Sequence, residues 1–168
     1  MSDVTSTLAP YFYQVGYVVR DLVAAEEWFK RTLGVPQFMR MENVVMEPPC
    51  RYRGRPADLA MNLSLGYMHD TQVELIQPTR GTSIYTEFLE TKGPGLHHIM
   101  FSVPDFRTAV SPLHAAGMEP AQDGVLPSGV EFAYYDCDAG GASFIEIVRF
   151  DAATLAAMEQ LKHVSPTA

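Results

Sequence analysis

The sequence predicts an α+β fold of two βαβββ modules, eight strands in all, and three observations lead there. The order β, α, β, β, β can be read twice along the chain. The two copies superimpose at an offset of 84 residues, at which Gln14 faces His98, Val19 faces Val103, Asp21 faces Asp105 and Ala25 faces Ala109. The strand closing each copy also matches, QVELIQ around Glu74 resembling FIEIVR around Glu146.

The first strand is the aromatic and β-branched run Tyr11 to Arg20, bounded by Pro10 and Asp21. Asp21 caps a helix in which Leu22, Ala25, Trp28, Phe29 and Leu33 recur at helical spacing, and Gly34 stops it. Strands follow at Gln37 to Met46, Leu59 to Leu65 and Thr71 to Gln77. Between the first two of these, Glu47 to Asp58 is rich in Pro, Gly and Arg and is expected to be an irregular loop. Thr82 to Gly93, capped by Thr82 or Ser83, is expected to be a short linker helix.

The second copy opens with the strand Leu96 to Val103, then Asp105 as cap and a helix over FRTAVSPLHAAG, where Pro112 predicts a late start or a bend. Strands at Val130 to Cys137 and Ser143 to Phe150 are clear, and Met118 to Leu126 is a weaker third. A last helix runs over DAATLAAMEQLKH, capped by Asp151. The expected organisation is one domain over residues 1–168. It comprises a first module at 11–78, a linker helix within 79–95, a second module at 96–150, and a C-terminal helix and tail at 151–168.

Composition narrows the function classes. With 47% hydrophobic and 19% charged residues, the 168-residue chain can bury a sizeable core. A net charge of −8 argues against a sequence-independent hold on nucleic acid. No hydrophobic run approaches the roughly 20 residues of a membrane span, and the start MSDVTSTLAP lacks a signal-peptide pattern, so a cytoplasmic protein with no membrane partner is expected. Cys50 and Cys137 show no paired spacing and are read as free thiols.

The segments QVGYVVRDLVAAEEWF, VELIQP, GPGLHHIMFSV and FIEIV resemble the vicinal-oxygen-chelate superfamily, also known as the glyoxalase, bleomycin-resistance and dioxygenase superfamily. The resemblance runs from Tyr11 to Phe150. It implies a cupped eight-stranded sheet holding one divalent metal, with two ligands from each module, on its first and last strands. The positions that match are Gln14, Glu74, His98 and Glu146.

The residues agree with that implication. Strand alternation groups Gln14 with Phe12, Gly16 and Val18, Glu74 with Gln72 and Ile76, His98 with Leu96, Met100 and Ser102, and Glu146 with Phe144 and Val148. A carboxylate among such neighbours is costly unless paired or metal-bound. Two carboxylates, an imidazole and an amide oxygen suit Zn, Mn, Co, Ni or Fe as the divalent ion, without choosing among them. The alternative for Gln14 is a hydrogen-bonded core amide, and for His98 a satisfied core histidine. His97 is expected on the opposite face, packed against a helix. Of Tyr134 and Tyr135, only one can face the cup.

What the resemblance implies chemically is proton abstraction next to a metal-bound carbonyl, with Glu146 or Glu74 as base. Glu42 and Glu47 are candidates for a separate base. The ligand types match eukaryotic glyoxalase I, a lactoylglutathione lyase, whereas the linker helix followed by GPGLHHI resembles methylmalonyl-CoA epimerase, whose usual order is His, Gln, His, Glu. Gln14 and Glu74 depart from that order. A metal-dependent isomerase, epimerase or lyase is therefore expected; the rival from another class is a non-catalytic binder of the bleomycin-resistance kind. Dioxygenase and fosfomycin-resistance readings are weakened by Gln14. Arg51, Arg53 and Arg55 could hold an acyl-CoA or glutathione adduct, or simply solubilise a loop. A homodimer is expected.

Overall fold

The computed structural model describes residues 8–137 and 142–163; the start of the chain and the tail beyond residue 163 lie outside the described residues. One sheet organises the molecule, with strands β1 (Phe12–Val18), β2 (Met39–Met46), β3 (Arg51–Tyr52), β4 (Arg55–Pro56), β5 (Leu59–Met68), β6 (Thr71–Arg80), β7 (Gly95–Ser102), β8 (Gln122–Val125), β9 (Glu131–Asp136) and β10 (Phe144–Arg149). The helices are α1 (Leu22–Leu33), α2 (Ile84–Thr91), α3 (Phe106–Ala115) and α4 (Ala152–Lys162). The spatial order is β2-β5-β6-β1-β7-β10-β9-β8-β3-β4.

That order is the repeat made spatial. In each half the first strand lies parallel to the last, β1 beside β6 and β7 beside β10, and the halves join where β1 runs antiparallel to β7. Asp21 and Asp105 cap α1 and α3 by accepting from the backbone N–H three residues on, as the sequence predicts. Pro112 sits inside α3 without ending it. Helix α1 buries Leu22 and Phe29 against Val73 and Leu75, while α3 buries Val110 and Leu113 against Ala133, Tyr135 and Ile147. Both cover outward-facing strand positions, which leaves the inward positions to line a cup.

Two features differ from expectation. The sheet has ten strands because the segment read as irregular forms a small hairpin, β3–β4, turning on Arg53 (φ 48°) and Gly54 (φ 74°). Positive φ at both central residues matches the twist of paired strands. Arginine in the first position hides that signal, and distant contacts hold it: its N–H donates to Ala121 O (2.8 Å) and its guanidinium pairs with Glu87 (2.9 Å) and Asp136 (2.8 Å). By pairing with β8, the hairpin carries the first half across to the far edge of the second.

The buried stripe of α1 is also not the one expected. Trp28 and Leu33 are about half exposed, and Glu26 lies inside with Leu22 and Phe29. Its carboxylate accepts from Arg40 Nε (2.9 Å) and Nη2 (2.7 Å) and from the Ser64 hydroxyl. Burial pushes the Glu26 pKa up, but these bonds and the Arg40 charge outweigh it and hold it below the usual value. A depressed carboxylate pKa adds stability above the unfolded value of about 4.3, lost as pH falls through the folded pKa. Arg40→Met is therefore expected to lower the melting temperature by several degrees at pH 7 and far less near pH 3, as thermal unfolding would show.

Candidate functional site

The four central strands, β6, β1, β7 and β10, each bring one expected residue to the floor of the cup. Register does the placing. Glu74, Gly16 and His98 lie in one row across β6, β1 and β7; Gln72, Gln14, Met100 and Glu146 lie in the next row, two residues along and so on the same face. Gly16 is needed at the centre, because a methyl group there would overlap the His98 ring.

His98 is fully buried, and three oxygens converge on its Nε2: Gln14 Oε1 at 3.1 Å, Glu146 Oε2 at 3.2 Å and Glu74 Oε2 at 3.4 Å. One N–H cannot satisfy three acceptors. Donors each about 2.0–2.1 Å from a shared ion lie about 3.0–3.4 Å from one another, the range of the three oxygens' distances from Nε2 here, and the Glu74, His98 and Glu146 donor atoms all lie within 4.8 Å of one another. The donor set and its spacing fit a divalent cation, with Glu74, His98 and Glu146 as the charged and imidazole ligands and Gln14 as the neutral oxygen.

The orientation of Gln14 is imposed by a residue the sequence reading left without a role. Gln14 Nε2 donates to Gln72 Oε1 (2.7 Å), which turns Oε1 toward the centre. Gln72 is fixed in turn, its Nε2 donating to the Tyr67 hydroxyl (3.0 Å) and Met158 Sδ (3.0 Å), and Tyr67 meets the Tyr13 hydroxyl at 2.7 Å. The available signal was positional, since Gln72 shares a face with Glu74 two residues on.

His97 corrects the alternation argument. Between Gly16–His98 and Tyr17–Leu96 the β1–β7 register slips, making a bulge at His97 that brings its Nδ1 within 3.0 Å of His98 Nδ1. It still packs against α2, its ring meeting Tyr85 and Phe88. Burial, then the neighbouring His98, hold His97 well below the ordinary histidine pKa. A neutral His97 can accept from His98 Nδ1–H and so leave His98 Nε2 free to face the three oxygens.

Electrostatics in the metal-free cluster follow from burial against pairing. Desolvation pushes Glu146 up, and hydrogen bonds from His98 and Tyr134 pull back without cancelling it. Desolvation works against a charged His98, but Glu146 and Glu74 outweigh it and raise the pKa to about 9. A metal must displace that proton, so Zn²⁺ affinity is expected to rise about tenfold per pH unit between pH 7 and about 9, measurable by competition with a chelating dye.

Tyr134 faces the cup, while Tyr135 points away to His114 Nε2 (2.9 Å). Tyr85 from α2 donates to the Tyr134 hydroxyl (3.1 Å). Above the cluster the cavity measures about 360 Å³. Arg51, Arg53 and Arg55 do not line it: Arg51 pairs with Asp123 (2.5 Å), Arg53 with Glu87 and Asp136, and Arg55 is exposed in β4. Glu42 and Glu47 are exposed and also outside the cavity lining.

The chain belongs to the Glyoxalase/Bleomycin resistance protein/Dioxygenase superfamily, whose sequence profile matches residues 13–134. Among solved structures, it is similar to a variant of Streptomyces coelicolor methylmalonyl-CoA epimerase in complex with 2-nitronate-propionyl-CoA (TM-score 0.65, 19% identity, covering 84% of this chain and 95% of that one). It is likewise similar to methylmalonyl-CoA epimerase from Mycobacterium tuberculosis (TM-score 0.65, 20% identity, 89% and 93%) and to a hypothetical protein from Bacillus halodurans (TM-score 0.63, 15% identity, 83% and 94%). At such identities the likeness is one of fold. A comparison with curated protein sequences finds no match.

Proposed function

We propose that this protein is a divalent-metal-dependent enzyme of the isomerase or epimerase class, removing a proton from carbon adjacent to a carbonyl. The carrying observation is the convergence of two carboxylate oxygens and an amide oxygen on one buried imidazole nitrogen, at the floor of a largely apolar cup. A divalent ion held by Gln14, Glu74, His98 and Glu146 would polarise the carbonyl and stabilise the enolate charge.

The chain's own residues supply the rest. Glu146, the more deeply buried of the two carboxylates and the one with the Tyr134 hydroxyl beside it, is assigned as the base. The Tyr134 hydroxyl, beside Glu146 in the β9–β10 register, steadies that carboxylate as it gains and returns the proton. Walls of Met, Leu and Phe hold the apolar part of the compound beside Glu146, and the proton taken up there exchanges with solvent before one is returned to the carbon.

Deuterium uptake from D₂O tests this reading. Protein loaded separately with Zn²⁺, Mn²⁺, Co²⁺, Ni²⁺ and Fe²⁺ would be offered an acyl-CoA thioester, neutral α-branched ketones and the methylglyoxal–glutathione adduct. Exchange at the carbon next to the carbonyl supports the proposal, and turnover of the glutathione adduct would move the reaction to the lyase alternative. Binding without exchange in any compound would make the protein a carrier or trap.

A further inference from the structure

From the walls of the cup we infer that the compound it holds is neutral and hydrocarbon-like around its carbonyl, about the size of a medium-length alkyl ketone or acyl group. This rests on the proposed reaction, and it departs from the carboxylate-bearing methylmalonyl group that gives the similar epimerases their name.

Charge balance comes first. No Lys or Arg lines the cup among the described residues, and its charged groups are Glu74 and Glu146, with His98 at the floor. Two carboxylates balance one divalent ion, so a further carboxylate, on the ligand, would be buried among the apolar walls with no cationic side chain to meet it, a strongly unfavourable state. The arginines that could have answered it, Arg51 and Arg53, are engaged with Asp123, Glu87 and Asp136 around a separate depression.

The walls then define what is welcome. Six of the nine methionines line the cup: Met39, Met41, Met46, Met61, Met100 and Met158. Thioether side chains are apolar, polarisable and adaptable, suited to chains of varying shape. A volume of about 360 Å³ corresponds to roughly twelve water-sized volumes of about 30 Å³ each. Helix α4 narrows the opening, with Ala157 at its rim and Met158 reaching inside to Gln72.

Straight-chain alkanehydroxamates, whose two neighbouring oxygens mimic an enediolate, are suitable probes. Their binding to Zn²⁺-loaded protein would be followed by calorimetry from four to ten carbons, beside the ω-carboxylate analogue of the six-carbon member. Affinity is expected to rise about fourfold per methylene until the cup is full, with the carboxylate analogue at least about 100-fold weaker than its methyl counterpart. Ala157→Trp, which narrows only the rim, should weaken the longest members about tenfold and leave the four-carbon member unchanged. A carboxylate analogue that binds as tightly as its methyl-ended partner, which shares the same metal-binding head group, or affinity independent of chain length, would overturn the inference. Because the readout is binding, it stands apart from deuterium exchange: a carrier without turnover would show the length series and no exchange.

Discussion

Gly16→Ala is expected to lose Zn²⁺ affinity by at least about 100-fold and to destabilise the chain by about 1–3 kcal/mol. Gly16 lies between Glu74 and His98 in the same row of the sheet, and the His98 ring occupies the space a methyl group would take. Relief requires either tilting the imidazole away from the three oxygens or moving β1 relative to β7. Urea unfolding and metal titration measure the two effects. The double variant Gly16→Ala/His98→Ala separates this cause from a general strand effect: with the ring gone, stability should recover above that of Gly16→Ala alone. Equal destabilisation in both would show that the overlap is not responsible.

Glu146→Gln is expected to reduce deuterium exchange by about 10²–10⁴-fold, the range for removing a positioned general base. The amide retains the shape of the side chain and an oxygen for the metal, so part of the metal affinity should survive. The same change removes one of the two carboxylates that raise His98, so its metal-free titration should move from about 9 toward the ordinary histidine value. NMR of the imidazole would follow that shift. Loss of exchange together with complete loss of metal would assign Glu146 a ligand role without showing it to be the base.

The repeat made most of the fold legible, because identical spacing of strand, capping aspartate and helix in two halves leaves few ways to pair the strands. Period-two alternation then placed Gln14, Glu74, His98 and Glu146 on marked faces, and the structure brings all four together. What stayed hidden depends on contacts distant in sequence. Arg53 adopts a left-handed turn because Ala121, Glu87 and Asp136 hold it. Glu26 replaces an apolar residue on the buried face of α1 because Arg40 and Ser64 meet it. His97 escapes alternation through a bulge, which only the β1–β7 register reveals. Gln72 orients Gln14 from a neighbouring strand, and the six methionines of the cup come from three strands and a helix, so no single segment advertises the cavity.

Metal content per chain tests the central claim most directly. Protein purified without chelator or nickel affinity, and after reconstitution with each divalent ion, would be assayed by mass spectrometry beside His98→Ala and Glu74→Ala. The account predicts about one divalent ion per wild-type chain, lost in both variants while the fold persists by circular dichroism. Wild-type protein that takes up no metal under any of these conditions, or variants that retain it fully, would contradict the account.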